Sequence, residues 1–251
     1  GYALDANTTG DNNVAFGYYA LGAATTADKN TALGYYAGAD ITTGVRNTAV
    51  GAEALRQKTT STDNTAIGFN AMFQSSEGNH NTCVGASAGY NISTGEYNTV
   101  VGSAALDANT VGVRNVAIGY ASLTDNTTGD KNTAVGMSSL ENNTTADNNT
   151  SIGYNSLAQN TTGSANVAVG SEALELNTTG TQNTAVGNYA LDANTTASYN
   201  SAFGYGTLSA NTTGTNNTAL GYSSLQANTT ASNNTAVGYY ALLATTTGDQ
   251  N

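Results

Sequence analysis

Apolar residues recur along this chain at fixed places in a unit of 17, and no helical or simple alternating period runs through it. The string Asn-Thr-Ala-Val-Gly, or a close variant, starts at Asn13, Asn30, Asn47, Asn64, Asn81, Asn98 and Asn115. It continues at Asn132, Asn149, Asn166, Asn183, Asn200, Asn217 and Asn234, and the chain stops on Asn251. Every interval is 17 residues, without insertion or deletion. Loops of a globular domain tolerate length changes, whereas stacked coils must keep register with their neighbours. With the Asn as slot 1, slot 4 is always Val, Ile, Leu or Phe, and slot 5 is always Gly. Slot 9 is Leu except at Gly38, Met72 and Gly89. Slot 8 is Ala, Ser or Thr, slots 13 and 14 are nearly always Thr, and slot 15 is Gly, Ala or Ser.

The unit is too short for paired-helix repeats, and its two Gly-containing turns oppose helix. Thr and Val at slots 2 to 4 favour strand. The pattern predicts an all-β, parallel β-solenoid (a β-roll) of gapless coils. Slots 2 to 5 form one strand, slots 7 to 9 a second and slots 12 to 14 a short third. Residues 1–251 form one continuous array with no separate domains: a partial repeat 1–12, fourteen repeats over 13–250, and Asn251 opening the next. Neither end carries a cap, which suggests a window cut from a longer fibre. Coils about 4.8 Å apart would make a rod of roughly 65 to 70 Å.

Alternation places slots 2 and 4 on one face and slot 3 on the other. The large aliphatic residue at slot 4 suggests that its face is the interior, together with slot 9. Slot 3 then faces outward, and reads Ala15, Ala32, Ala49, Ala66, Cys83, Val100, Ala117, Ala134, Ser151, Ala168, Ala185, Ala202, Ala219 and Ala236. A column that stays small and apolar suggests burial against a second surface, either another chain or the far side of a flattened coil; another chain is favoured, and so a homo-oligomer. The constant Asn predicts a stacked amide ladder that also satisfies turn backbone. Gly at slot 5 predicts a positive-φ bend or a contact too close for a β-carbon. Slot 6 forms a broken aromatic column (Tyr18, Tyr35, Phe69, Tyr120, Tyr154, Tyr205, Tyr222, Tyr239), read as stacking between coils, with carbohydrate binding as the alternative.

Composition narrows the function. The chain has 29 Gly, no Pro, no Trp, one Cys, one His and 9% charged residues. One Cys excludes a disulfide framework and a multi-cysteine zinc site. A net charge of -11 with six Lys and Arg argues against nucleic acid and anionic membrane surfaces. The apolar runs are far short of a bilayer span, so no membrane insertion is expected of this segment.

Asn-Thr-Ala-Val-Gly, then x-x-Ala-Leu, then Thr-Thr-Gly is similar to the head repeats of YadA-type trimeric autotransporter adhesins. It also resembles tandem arrays of phage tail fibres and bacterial surface fibres. The resemblance spans the whole chain, although this repeat is longer than that of the adhesin heads, with the extra residues near Asn-Thr-Thr. It implies a left-handed roll, three chains side by side, an extracellular, cell-surface or virion-fibre location, and an adhesive or spacer role.

The search for chemistry finds no catalytic, cofactor-binding or metal-ligating set. His80 and Cys83 are close in sequence, but the first occupies a corner slot and the second the small-residue column. Acids recur at slot 16 (Asp11, Asp28, Glu96, Asp130, Asp147, Asp249) without the signature of calcium-binding rolls. Lys29, Arg46, His80, Arg114 and Lys131 all fall in slot 17, interrupted by Asp63 and Tyr97. This edge is a candidate contact stripe for acidic glycans, with solvated surface charge as the plainer reading. Adjacent Thr at slots 13 and 14 raise ice binding, but they leave only one outward column. Asn-Thr-Thr sequons such as Asn7, Asn126 and Asn211 read as turn chemistry. The repeats over 30–131 depart most from consensus, at Gly38, Lys58, Glu77 and Gly89, and there any specific site is expected. The overall expectation is a non-enzymatic structural or adhesive fibre segment. The alternative is a solenoid that binds carbohydrate or ice on exposed columns. Partners are copies of itself, with host or environmental glycans or surface proteins as candidates.

Overall fold

The computed structural model describes residues 1–57, 59–74 and 77–250, so Lys58 and Asn251 lie outside the described residues. The chain is an all-β parallel β-solenoid of 17-residue coils, with no helix among the described residues. It divides into two compact units, Gly1–Thr128 and Gly129–Asn251. The boundary falls between slots 14 and 15 of one repeat, where the sequence shows no change of register.

The first unit holds β1 (Val14–Phe16), β2 (Thr31–Leu33), β3 (Thr48–Val50), β4 (Thr65–Ile67), β5 (Thr82–Val84), β6 (Thr99–Val101) and β7 (Val116–Ile118). The second holds β8 (Thr133–Val135), β9 (Thr150–Ile152), β10 (Val167–Val169), β11 (Thr184–Val186), β12 (Ser201–Phe203), β13 (Thr218–Leu220) and β14 (Thr235–Val237). Within each unit consecutive strands pair in parallel, one repeat apart, so like faces like: Ala32 opposes Ala49, and Ala168 opposes Ala185.

Each coil has one strand, at slots 2 to 4; the strands expected at slots 7 to 9 and 12 to 14 are turns. The reason is backbone geometry. Slots 7 and 9 are left-handed, as at Tyr19 (φ 56°) and Leu21 (φ 50°), and slot 17 is too, as at Lys29 (φ 57°). Such residues cannot continue a pleated strand. The turns still bond from coil to coil: Leu21 N–H donates to Ala37 O at 3.0 Å and Thr25 N–H to Thr42 O at 3.0 Å. Backbone donors are thus used around the whole coil, which suits a chain without Pro.

The direction of the strand faces is the reverse of the sequence expectation. Slot 3 points into the coil: Ala32, Ala66, Cys83, Val100, Ala134 and Ala185 are at most 1% exposed. Slots 2 and 4 point outward, and no residue at slot 4 is buried; Leu33, Ile152 and Leu220 keep 46%, 40% and 48% of their surface. The chain therefore buries its own slot-3 column (Ala32, Ala49, Ala66, Cys83, Ala117, Ala134, Ala168, Ala185, Ala202, Ala219, Ala236, with Ala15 half-buried in the first coil). These residues are interior packing, and no second chain is needed to cover them. The interior is narrow. Slot 9 fills it with Leu21, Leu55, Leu106, Leu140, Leu157, Leu174 and Leu191, and slot 8 adds a small residue, so slot 3 has room for little more than a methyl group.

Two asparagine ladders close the remaining interior, and only one was anticipated. At slot 1 the Asn166 amide donates to Gly180 O at 2.8 Å, and its Oδ1 accepts from Asn183 N–H at 3.0 Å. At slot 12 Asn177 Nδ2 donates to Asn160 Oδ1 at 2.8 Å and to the same Gly180 O at 3.0 Å. Both asparagines are fully buried. The Gly180 carbonyl is thereby held by two amides, as are those of Gly163 and Ala197, a bonded buried arrangement worth far more than its parts left unpaired. The sequon residues Asn126 and Asn211 are buried in this ladder, and Asn7, exposed in the first coil, bonds the turn at Gly10, which supports their reading as turn chemistry.

Slot 5 requires glycine on both of the expected grounds. Gly136 has φ 134°, and a β-carbon there would stand 2.4 Å from Gly153 O in the next coil.

Candidate interaction face

With slot 3 inside, the outward strand face presents an apolar slot-4 residue to the surface in every coil. In the second unit, β8 to β11 present Val135, Ile152, Val169 and Val186 at slot 4 beside Thr133, Thr150, Val167 and Thr184 at slot 2. All eight are half-buried or exposed. In the first unit the same face carries Leu33, Val50, Ile67, Val84, Val101 and Ile118. Isolated exposed apolar residues are ordinary, but an apolar column repeated in every coil is not.

No protein-family model, curated protein or solved structure matches the chain. Its columns must therefore be read from their own geometry.

Slot 6 borders the face. Where tyrosines fall in consecutive coils, their rings stack: Tyr18 on Tyr35 at 5.8 Å and 18°, and Tyr205 on Tyr222 at 5.2 Å and 8°. That is the stacking expected between coils. Stacked rings cover one another's faces and offer a sugar only edges and hydroxyls. Phe69 and Tyr154 differ, being 57% and 46% exposed with only Ala, Ser or Met at slot 6 of the adjacent coils.

The basic slot-17 edge is partly neutralised. In the first unit Arg46 donates to both oxygens of Asp63, at 2.6 and 2.7 Å. His80 Nδ1 lies 3.8 Å from the same carboxylate, and its ring stacks on Tyr97 at 4.9 Å. The Arg46 hydrogen bond holds the Asp63 carboxyl below its ordinary range, although the pair is largely solvated. Lys29 and Arg114 occupy slot 17 in other coils of this unit, and Lys131 belongs to the second unit. Of the four stripe residues in the first unit, Arg46 is thus held in an internal ion pair and His80 lies beside it.

Slot-16 side chains bond the preceding coil: Asp147 Oδ1 accepts from Asp130 N–H at 2.7 Å, and Ser198 Oγ from Thr181 N–H at 2.9 Å. The same role is filled by Asp, Asn or Ser, so the acids there serve turn backbone. At slot 13 the Thr hydroxyls likewise donate to the next coil, Thr161 to Thr178 O at 3.0 Å, leaving slot 14 as the exposed Thr column. His80 and Cys83 are kept apart: Cys83 is buried inside, with its Sγ facing Gly89, and His80 is on the surface.

Sequence reasoning missed a compensation within the interior. The two coils with Gly at slot 9, at Gly38 and Gly89, carry Ile41 and Ile92 in place of Asn at slot 12. Both isoleucines are fully buried, and a β-carbon on Gly38 would come within 3.1 Å of Ile41 Cδ1. The paired departures from consensus were visible in the sequence. They fill the core.

Proposed function

We propose that the chain is a non-enzymatic structural and adhesive segment of an extracellular surface or virion fibre, self-associating through its outward strand face. One observation carries this reading: the slot-4 column is apolar in every coil and is left exposed or half-buried by the single chain. Burial of such side chains contributes roughly 1.5 to 3 kcal/mol each when complete, so covering half of each along a repeated column drives association. Within each unit, the identical register of consecutive coils lets a second copy match the column coil by coil. Three copies side by side, as in the adhesin heads the sequence resembles, would cover it. In such an assembly the coil stacks space or present binding surfaces carried on the variable slots.

Sedimentation equilibrium of the chain beside a Val135→Glu/Ile152→Glu/Val169→Glu variant tests this. The expected result is a trimer for the wild type and a monomer with unchanged far-UV circular dichroism for the variant. A wild-type chain that stays monomeric at all concentrations overturns it. Carbohydrate binding is the second reading, favoured by the open rings of Phe69 and Tyr154.

A further inference from the structure

We propose that two tyrosine clusters are sites of oxidative carbon–carbon cross-linking, which ties successive coils of one chain together. Tyr2, Tyr18, Tyr19, Tyr35 and Tyr36 form the first cluster, in the first unit. Besides the Tyr18–Tyr35 stack, Tyr19 and Tyr36 lie 5.3 Å apart and Tyr18 and Tyr36 5.6 Å apart, centroid to centroid. The second unit holds Tyr189, Tyr205, Tyr222, Tyr239 and Tyr240, with Tyr222 and Tyr239 stacked at 5.5 Å. Together the clusters hold ten of the chain's 15 tyrosines. Parallel register creates these contacts: any two Tyr one repeat apart at slot 6 or slot 7 are placed ring against ring. The rings are open to reagents, with Tyr35, Tyr205 and Tyr239 at 53%, 47% and 73% exposed.

The reaction needs a named oxidant, and hydrogen peroxide acting through a haem peroxidase supplies it. The peroxidase takes one electron and one proton from each of two phenols. The two radicals couple through ring carbons ortho to oxygen. Each ring then loses the hydrogen on its coupled carbon and regains its phenolic proton. In sum, two tyrosines and one peroxide give one dityrosine and two waters.

Two features favour coupling over other fates. Partners held in contact react far faster than partners that must meet by diffusion. The competing easily oxidised side chains are also scarce: there is no Trp, Cys83 and Met72 are fully buried, and Met137 is the one exposed sulfur. A cross-link between residues one repeat apart would clamp neighbouring coils as a disulfide does, in a chain whose lone Cys is buried.

Treatment of the folded chain with horseradish peroxidase and hydrogen peroxide, followed by trypsin and mass spectrometry, tests the proposal. Cleavage after Lys29 and Arg46 separates Tyr18 and Tyr19 from Tyr35 and Tyr36. The expected product joins peptides 1–29 and 30–46 with the loss of two hydrogen atoms, while the protein stays at single-chain mass on a denaturing gel. A Tyr35→Phe/Tyr36→Phe variant should lose that linked pair and keep the dityrosine fluorescence of the second cluster. Oxygenated tyrosines without linked peptides overturn the proposal. So do cross-links found only between chains, or an equal yield of the linked pair from guanidinium-unfolded protein.

Discussion

At the residue scale, constancy of volume marks the inside of this protein better than hydrophobicity does. Slot 4 is the more apolar position, yet it ranges from Val to Phe and faces out; slot 3 stays near the size of Ala and faces in. A coil of fixed cross-section cannot absorb a phenyl ring in one repeat and an isopropyl group in the next, whereas an open face can. Where slot 3 does become polar, its neighbours respond: Ser151 Oγ accepts from Ser139 Oγ at 2.7 Å and donates to Ser156 O at 2.6 Å. Asp192 is supported less fully, by backbone hydrogen bonds alone. It is half-buried, its Oδ1 has no hydrogen-bond partner, and burial pushes its carboxyl up to about 6. The folded state then holds a proton that the unfolded state releases, so this group's effect on stability falls as pH rises from about 4 to about 6. Asp192→Asn should therefore raise the melting temperature at about pH 7 and match wild type near pH 4. Thermal melts at the two pH values check this, and an equal gain at both would contradict it.

At the scale of the element, one coil is a single short strand closed by turns that are left-handed at three non-glycine slots. Strain of this kind costs about 1 kcal/mol or more per residue and persists because stacking and buried Leu offset it. The Gly38–Ile41 coil shows how the interior is conserved when its parts are exchanged. Ile41→Asn alone removes a buried side chain and should cost about 2 to 4 kcal/mol. Gly38→Leu alone crowds Ile41 and Leu21, whose nearest atoms are 3.1 and 3.2 Å from the added β-carbon, and should cost about 1 to 3 kcal/mol. The double change restores the Leu and Asn of the other coils and should recover most of both losses. A double-mutant cycle by urea denaturation measures that coupling, and simple additivity would refute it.

At the scale of the whole molecule, the repeat length is the conserved quantity. Each coil's ladders end on the same slots of the next, so register is specified at every step. Deleting residues 166–182 removes one full repeat and joins slot 17 to slot 1. The product should fold, with stability lower by roughly one coil's contribution. Deleting 166–181 leaves one extra residue between the flanking coils and should cost distinctly more. Circular dichroism with denaturant titration separates the two, and equal losses would show that register is not enforced. Within each unit the same regularity repeats the outward apolar column and the tyrosine pairs, so both proposed interaction chemistries follow from one period.

The sequence by itself determined the period, the β-solenoid class, the slot-1 Asn ladder and the need for Gly at slot 5. Each of these is a local demand repeated fourteen times, and repetition makes a weak preference legible. Tertiary structure alone decided which strand face is inside, that slots 7 to 9 are turns, and that slot 12 builds a second ladder. Those outcomes depend on how much side-chain volume a closed coil can hold. Alternation along a strand reports that two faces differ; only closure of the coil says which one it encloses.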